Sequence, residues 1–198
     1  MKFCSGCGAR VEKRYVESDQ RDRDYCKACD TFHYVNPKIL VSCMVASGSK
    51  IVMMRRAHDP SYGLWSPPAG FVEQGETLES AAMREALEEA NAIVDPDSLR
   101  IYNVTDLKDI SEVYVGFVGS LANEDIRPGP EALEVGLFDE HDLPWDKLAF
   151  PAMRGYLKLY FEELARGEIA FHQSRADKSR RARVTYLVSK VHHFGMAN

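Results

Sequence analysis

Gly70-Phe71-Val72-Glu73-Gln74-Gly75-Glu76, followed by Arg84-Glu85-Ala86-Leu87-Glu88-Glu89-Ala90-Asn91-Ala92, concentrates glycine, acid and one arginine around a helix-forming run. At about 100° per residue, Glu85, Glu88 and Glu89 fall within about 100° of one another around that helix. Met83, Ala86, Leu87 and Ala90 lie on the other side and are expected to face a core. Like charges three and four residues apart destabilise a helix by roughly 0.2–0.5 kcal/mol per pair, so a cation is expected to offset them. Mg²⁺ or Mn²⁺ suits the role, since hard cations take carboxylate oxygens together with phosphate oxygens. Such an ion withdraws charge from phosphorus and lowers the pKa of a bound water. For the helix taken alone, a solvated acidic face with Arg84 as its local partner is the preferred reading.

The flanks give the helix a setting. Upstream, Ile39 to Ala46 is a strand-like apolar run, Ser47-Gly48-Ser49-Lys50 reads as a turn, and Ile51 to Met54 as its hairpin partner. Glycine and proline crowd the loop from Tyr62 to Gly70. The helix is predicted over about 78–90, with strands over 99–106, 112–120 and 134–139. A second helix over about 151–166 follows Phe150-Pro151, with the proline placed in its first turn. Beyond Gly167 the pattern weakens, with a strand available at Val184 to Val188.

Residues 1 to about 36 are polar and short of aliphatic side chains, and Asn36-Pro37 marks a boundary. A segment so small needs a cross-link to stay folded. Cys4-Ser5-Gly6-Cys7 and Cys26-Lys27-Ala28-Cys29 supply one. Two such knuckles can place four thiolates at the corners of a tetrahedron, a structural Zn²⁺ site with no open position. Cys43, inside an apolar run, reads as a buried small residue. His33, just past a complete set of four cysteines, reads as a packing or hydrogen-bonding residue.

Composition sets outer limits. The chain of 198 residues carries 25 basic and 30 acidic side chains, a net charge of −5, which argues against a large electrostatic nucleic-acid footprint. No run approaches the about 20 apolar residues of a membrane span, and the segment after Met1 has no signal-peptide pattern. Paired CxxC cysteines suit a reducing compartment, so a cytoplasmic protein is expected.

The residues from Gly70 to Ala92 resemble the box of the Nudix hydrolases, Gly-x5-Glu-x7-Arg-Glu-U-x-Glu-Glu-x-Gly-U with U aliphatic. They depart from it at Asn91, where the family has glycine, and asparagine is the next most tolerant residue of the left-handed conformation that ends a helix. The resemblance covers about residues 38–165, including the lead-in Gly63 to Gly70. It implies an α/β/α sandwich around a mixed β-sheet and hydrolysis of a pyrophosphate bond. It further implies that Glu85, Glu88 and Glu89 bind Mg²⁺ or Mn²⁺, with the Gly70 carbonyl within reach, and that Arg84 orients the glutamates and pairs with Glu76. Family members add an acid from a downstream loop. Here Glu131 is preferred over Glu134, both in Gly129-Pro130-Glu131-Ala132-Leu133-Glu134.

A zinc ribbon (1–36) ahead of a Nudix domain (37–167) and a C-terminal extension (168–198) is similar to the NADH pyrophosphatases. The SQPWPFPxS array of those enzymes is missing after Ala92. The chain looks more like the zinc-ribbon ADP-ribose/FAD pyrophosphatases, through Tyr34 to Lys38, Pro128 to Glu131 and Leu148 to Pro151. That likeness implies release of AMP and a phosphorylated remainder, by a homodimer acting on a small nucleotide. Tyr62, Trp65, Phe71 and Tyr114 are the aromatic candidates for stacking a base or flavin. Alternatives are a nucleoside-triphosphate-cleaning enzyme, an NADH or NAD-cap pyrophosphatase, and a nucleotide-sensing regulator. In the last, the ribbon and the basic run Arg175 to Arg183 would contact nucleic acid, although such a run is more commonly a solvated tail.

Overall fold

A computed structural model of the chain describes residues 1–177 and 183–187. It divides into two units, Met1–Pro37 and Lys38–Asn198.

The first unit is a three-stranded antiparallel sheet of β1 (Glu12–Val16), β2 (Arg21–Cys26) and β3 (Thr31–His33) in the order β1-β2-β3. Its interior is thin: Cys4, Asp24, Tyr25 and Cys26 are buried. Arg14 lies 3.5 Å over the Tyr25 ring, and Phe32 packs 4.9 Å from it. Buried Asp24 is paired with Lys13 at 2.9 Å and with the N-terminal amine at 3.1 Å. These donors hold its carboxyl below the usual range. So little apolar contact leaves the four cysteines as the main means of closing the unit.

The second unit is built on β4 (Lys38–Ser47), β5 (Lys50–Arg56), β6 (Trp65–Ser66), β7 (Ala69–Phe71), α1 (Leu78–Ala90), β8 (Arg100–Leu107), β9 (Glu112–Ser120), β10 (Ala132–Phe138), α2 (Met153–Arg166), β11 (His172–Asp177) and β12 (Arg183–Leu187). Among the described residues the sheet runs β10-β5-β4-β9-β8-β11-β12, with β6 beside β5 and β7 beside β4. It is mixed: β4–β9 and β8–β11 are parallel, and the remaining pairs are antiparallel. The β4–β5 turn is tight, with Ser47 opposite Lys50 and Gly48 at φ 59°, a left-handed position that glycine takes without strain.

Successive strand side chains point to opposite faces. Val41, Cys43, Val45 and Val52 accordingly join a cluster with Ala81, Ala82, Ala86 and Ala90 of α1. Met44, Ile51 and Met53 enter the other cluster with Met153, Leu157, Tyr160 and Phe161 of α2. This two-sided burial explains why β4 and β5 read as continuous apolar runs rather than alternating ones. Small alanines on α1 let it lie close to the sheet, whereas large aromatics fill the wider α2 side. Burial of Cys43 in the first layer pushes its thiol up to about 12.

Two details differ from the sequence reading. Leu87 is 48% exposed rather than facing the core. The buried stripe of α1 is turned toward Glu85 and Glu89, centred on the Ala82-Ala86 side, because these carboxylates are drawn in against β7. Second, α2 begins at Met153, with Ala152 as its N-cap and Pro151 ahead of it. Pro151 therefore belongs to the turn closed by Met153 N–H on the Phe150 carbonyl at 3.0 Å, not to the first helical turn. Of the basic run, residues 178–182 lie outside the described residues, as does Val188 of the strand expected at the C-terminal end. No helix among the described residues is long and apolar enough to cross a membrane.

At the end of α2, buried Glu163 accepts from Ala170 N–H at 3.3 Å and hydrogen-bonds His172 Nε2 at 2.8 Å, clasping β11 to the helix. Glu163→Ala leaves those buried donors without their carboxylate. Each unsatisfied group costs about 1–3 kcal/mol. A fall in urea-unfolding stability of that order is expected, and an unchanged midpoint would show that the clasp adds nothing.

Candidate active site

The strand β7 brings the glycine-rich loop onto the sheet, with Leu40 opposite Phe71, Val41 opposite Gly70 and Ser42 opposite Ala69. Pro67 and Pro68 are fully buried, and the Pro68 carbonyl accepts from Cys43 N–H at 3.1 Å. With little backbone freedom in this stretch, the position of Gly70 is fixed. The α1 helix then starts on a capping box: Ser80 N–H donates to Thr77 Oγ1 at 3.1 Å and Thr77 N–H to Ser80 Oγ at 2.9 Å. It ends on Asn91, at φ 50° and ψ 25°, whose N–H reaches the carbonyls of Ala86 and Leu87.

Arg84 organises the acids. Its Nε and Nη2 grip Glu76 at 2.6 and 2.9 Å, a bidentate pair. Its Nη1 donates to Glu85 at 2.6 Å and Glu88 at 3.1 Å, and Nη2 also donates to the Phe71 carbonyl at 3.1 Å. The guanidinium holds the Glu76 carboxyl down to about 2. Glu85 and Glu89 behave oppositely. Burial pushes Glu85 upward against the opposing pull of Arg84. Burial pushes Glu89 up to about 8, with the charges of Glu85 and Glu131 adding to it and the Ala69 N–H, which donates to Glu89 at 2.7 Å, opposing it. A half-buried carboxylate gripped by Arg84, beside a buried one that Arg84 does not reach, forms an under-compensated acidic site, which suits a hard divalent ion. Glu88 is the outlying member, its side chain 59% exposed.

Two glycines permit these approaches. A Cβ on Gly70 would stand 2.1–2.4 Å from the Glu85 carboxylate group, so that carboxylate lies directly on the glycine. A Cβ on Gly129 would stand 1.7 Å from the Glu88 carbonyl oxygen. Gly129 N–H donates to the Glu89 carbonyl at 3.0 Å, so the loop of Gly129 to Glu131 is laid against the end of α1. Glu131 is thereby brought close enough for its charge to act on both Glu85 and Glu89. Glu134 is elsewhere, on β10 and paired with Arg55 at 3.3 Å.

The aromatic candidates separate. Trp65 is buried edge-on against Phe138 at 4.9 Å and is a core residue. Tyr114 is bonded through its hydroxyl to Ser42 and Tyr156. Tyr62 and Phe71 are exposed, Phe71 beneath the Lys38 amine at 5.0 Å. Two residues to which the sequence reading gives no role also border the site. Arg56 is buried at the end of β5, and His58 follows it, 3.3 Å from Glu131. Nothing in one sequence marks His58.

The cysteines meet in the first unit. The sulfurs of Cys4, Cys7, Cys26 and Cys29 lie within 4.8 Å of one another, and His33 is not among them. The Cys4–Cys29 and Cys7–Cys26 separations are 4.0 and 3.7 Å. A tetrahedral zinc–thiolate site, with Zn–S near 2.3 Å, has edges of about 3.8 Å, so the spacing fits. Gly6 N–H donates to the Cys4 sulfur at 3.3 Å and, with further donors, lowers that thiol to about 6.

Residues 37–160 match the family model described as NUDIX domain, and residues 2–35 the one described as Nudix N-terminal. An ADP-ribose pyrophosphatase of Methanocaldococcus jannaschii is 33% identical over 140 residues, which covers 70% of this chain and 80% of that protein. The NAD-capped RNA hydrolase NudC of Chromobacterium violaceum is 32% identical over 146 residues, and the chain spans 52% of its length. A crystal structure of a NUDIX hydrolase from Nitrosomonas europaea superposes with a TM-score of 0.83 at 45% identity, covering 88% of this chain and 98% of that one.

The two close glycine contacts lead to different outcomes. Gly70→Ala pushes on the movable end of a side chain, so activity falls while the melting temperature changes little. Gly129→Ala pushes on helix backbone, which cannot yield, and costs about 1–3 kcal/mol as well as activity. Thermal melts beside hydrolysis rates check both; equal melting losses would contradict the assignment.

Proposed function

The chain belongs to the Nudix family, and on that premise we propose that it hydrolyses the diphosphate bridge of a nucleoside diphosphate linked to a second group, of the ADP-ribose or FAD type. The observation that carries the reading is the pair of carboxylates held at the Gly70 strand, half-buried Glu85 gripped by Arg84 and buried Glu89 offset by one backbone N–H and the charge of Arg56. Glu85, Glu88, Glu89 and the Gly70 carbonyl are the groups that would hold Mg²⁺ or Mn²⁺. When bound, such an ion neutralises diphosphate charge and acidifies a water. The 33% identity to an ADP-ribose pyrophosphatase over most of that protein's length supports the substrate class.

Within this reading the chain's own groups divide the work. Arg84 fixes Glu76, Glu85 and Glu88 in one array, so the site needs little rearrangement as charge develops. Glu131, on its loop, is the downstream acid that orients the attacking water and takes its proton. Water adds its oxygen to one phosphorus, the bridging P–O bond breaks, and the leaving phosphate departs with the bridge oxygen. From ADP-ribose the products are AMP and ribose 5-phosphate; from FAD they are AMP and FMN.

The four cysteines we assign to structural Zn²⁺, supported by their edge lengths. A homodimer in the cytoplasm is the remaining expectation, resting on resemblance. An NADH or NAD-cap activity is the second reading, favoured by the NudC relatives but covering only about half of their length.

A panel assay with Mg²⁺ or Mn²⁺ separates the readings, scoring AMP from ADP-ribose, FAD and NADH, nicotinamide-cap removal from RNA, and pyrophosphate from nucleoside triphosphates. Cleavage of ADP-ribose or FAD is expected, with Glu89→Gln lowering kcat at least about 100-fold, the scale of losing a principal site group. Turnover of triphosphates alone would overturn the substrate class. Metal analysis is expected to find one zinc per chain and none in Cys26→Ser, with hydrogen exchange of residues 1–37 rising in the variant. Zinc retained by Cys26→Ser would overturn the four-thiolate assignment.

A further inference from the structure

Glu131 presents a physical problem. Its side chain is 64% exposed on a loop, where a glutamate has many rotamers open to it. Holding one of them costs up to about 2 kcal/mol of side-chain entropy. Its backbone is fixed, since Ala57 N–H donates to the Glu131 carbonyl at 2.9 Å and Gly129 is laid on α1. Among the described residues, the side chain paired with the carboxylate is the imidazole of His58. His58 Nδ1 is 3.3 Å from Glu131 Oε2, close but not aligned as a hydrogen bond, and Nδ1 has no hydrogen-bond partner.

The opposite ring nitrogen determines what that contact is. Arg56 Nη2 lies 2.9 Å from His58 Nε2. A guanidinium can only donate, so Nε2 is the acceptor and carries no proton. In a neutral imidazole the proton then resides on Nδ1, which faces the carboxylate. Arg56 is itself held rigidly: it is buried, its Nε donates to the Pro60 carbonyl at 3.1 Å, and its guanidinium lies 5.5 Å over the Phe150 ring. A fixed cation thus sets a tautomer, and the tautomer presents a donor to a mobile acid.

We propose that His58, oriented and tautomerically fixed by Arg56, is the positioning residue that holds the Glu131 carboxylate toward the Glu85–Glu89 pair. The proposal rests on the reading of Glu131 as the downstream acid. His58 itself touches neither substrate nor reacting atoms; it narrows the rotamers of the group that does. Partners that orient an active-site group in this way typically change activity about 10–100-fold when removed.

The two directions of the ring separate by substitution. In His58→Asn the side-chain amide lies near the Nδ1 position and keeps a donor for Glu131, whereas His58→Gln places its amide nearer Nε2 and serves Arg56 instead. We expect His58→Ala to lower kcat about 10–100-fold with KM changed less than about threefold. His58→Asn should recover most of that loss and His58→Gln little of it. His58→Ala added to Glu131→Gln should be no slower than Glu131→Gln alone, each variant being checked by thermal melting and scored on whichever panel substrate the parent turns over.

Full activity in Glu131→Gln would remove the Glu131 reading and the His58 role with it. An impaired Glu131→Gln beside a fully active His58→Ala, or losses that multiply in the double variant, would overturn the His58 role alone. A readout free of turnover is long-range ¹⁵N–¹H NMR of the metal-free protein. A His58 ring protonated at Nδ1 and bare at Nε2, with Nδ1 shifted in Glu131→Gln, is expected. A proton on Nε2 would overturn the proposal whatever the kinetics show.

Discussion

The arrangement of the site depends on one guanidinium. Glu76, Glu85 and Glu88 converge on Arg84, and without a fixed cation among them α1 would carry repelling acids beside the stripe that packs on the sheet. Arg84 has its planar fork fully engaged, with five contacts counting the Phe71 carbonyl, a geometry that lysine cannot reproduce. It grips Glu76 most closely and makes no contact with Glu89. The cation therefore ties helix, loop and strand together while leaving unspent negative charge where Glu85 and Glu89 meet β7.

That charge is kept by burial, which in turn depends on small residues. Ala81, Ala82, Ala86 and Ala90 let α1 lie close to β4, and Gly70 lets the Glu85 carboxylate rest on the strand. A larger side chain at any of them would lift the helix and let water in, and the carboxylates would become ordinary surface acids. Tight packing here is thus an electrostatic device: it lowers the local dielectric and raises the free energy of the ionised acids until a counter-charge arrives.

Sequence legibility followed the physics of each element. The hairpin of β4 and β5, the span of α1 and the place of β9 were readable because apolar runs, turn glycine and helix periodicity are local signals. The Arg84–Glu76 pairing was readable because the box spacing is a one-dimensional record of that contact. What failed was a matter of rotation: Leu87 was placed inward since it is apolar, but the acids, held by β7 and Arg84, turned the helix away from it. Residues brought in by long-range contact left no local trace. His58 and the Glu163–His172 clasp are partners only through tertiary structure. Trp65 was a plausible stacking residue by type, and its burial against Phe138 is a fact of packing that composition does not carry.

The one departure from the box shows how a local rule and a long-range contact combine. Glycine is favoured at the end of α1 because the backbone there is left-handed, and Asn91 adopts the same conformation at φ 50°. Backbone tolerance explains why asparagine is permitted, but the side chain adds something glycine lacks. Asn91 Nδ2 donates to the Asp125 carbonyl at 2.6 Å, and its Oδ1 accepts from Arg127 at 3.4 Å. Arg127 N–H in turn donates to the Ala90 carbonyl at 3.0 Å. The segment so fastened leads directly into Gly129 and Glu131. The substitution thus keeps the helix end and uses its side chain to anchor the approach to the loop, adding a tie to the contact that places Glu131 near Glu85 and Glu89.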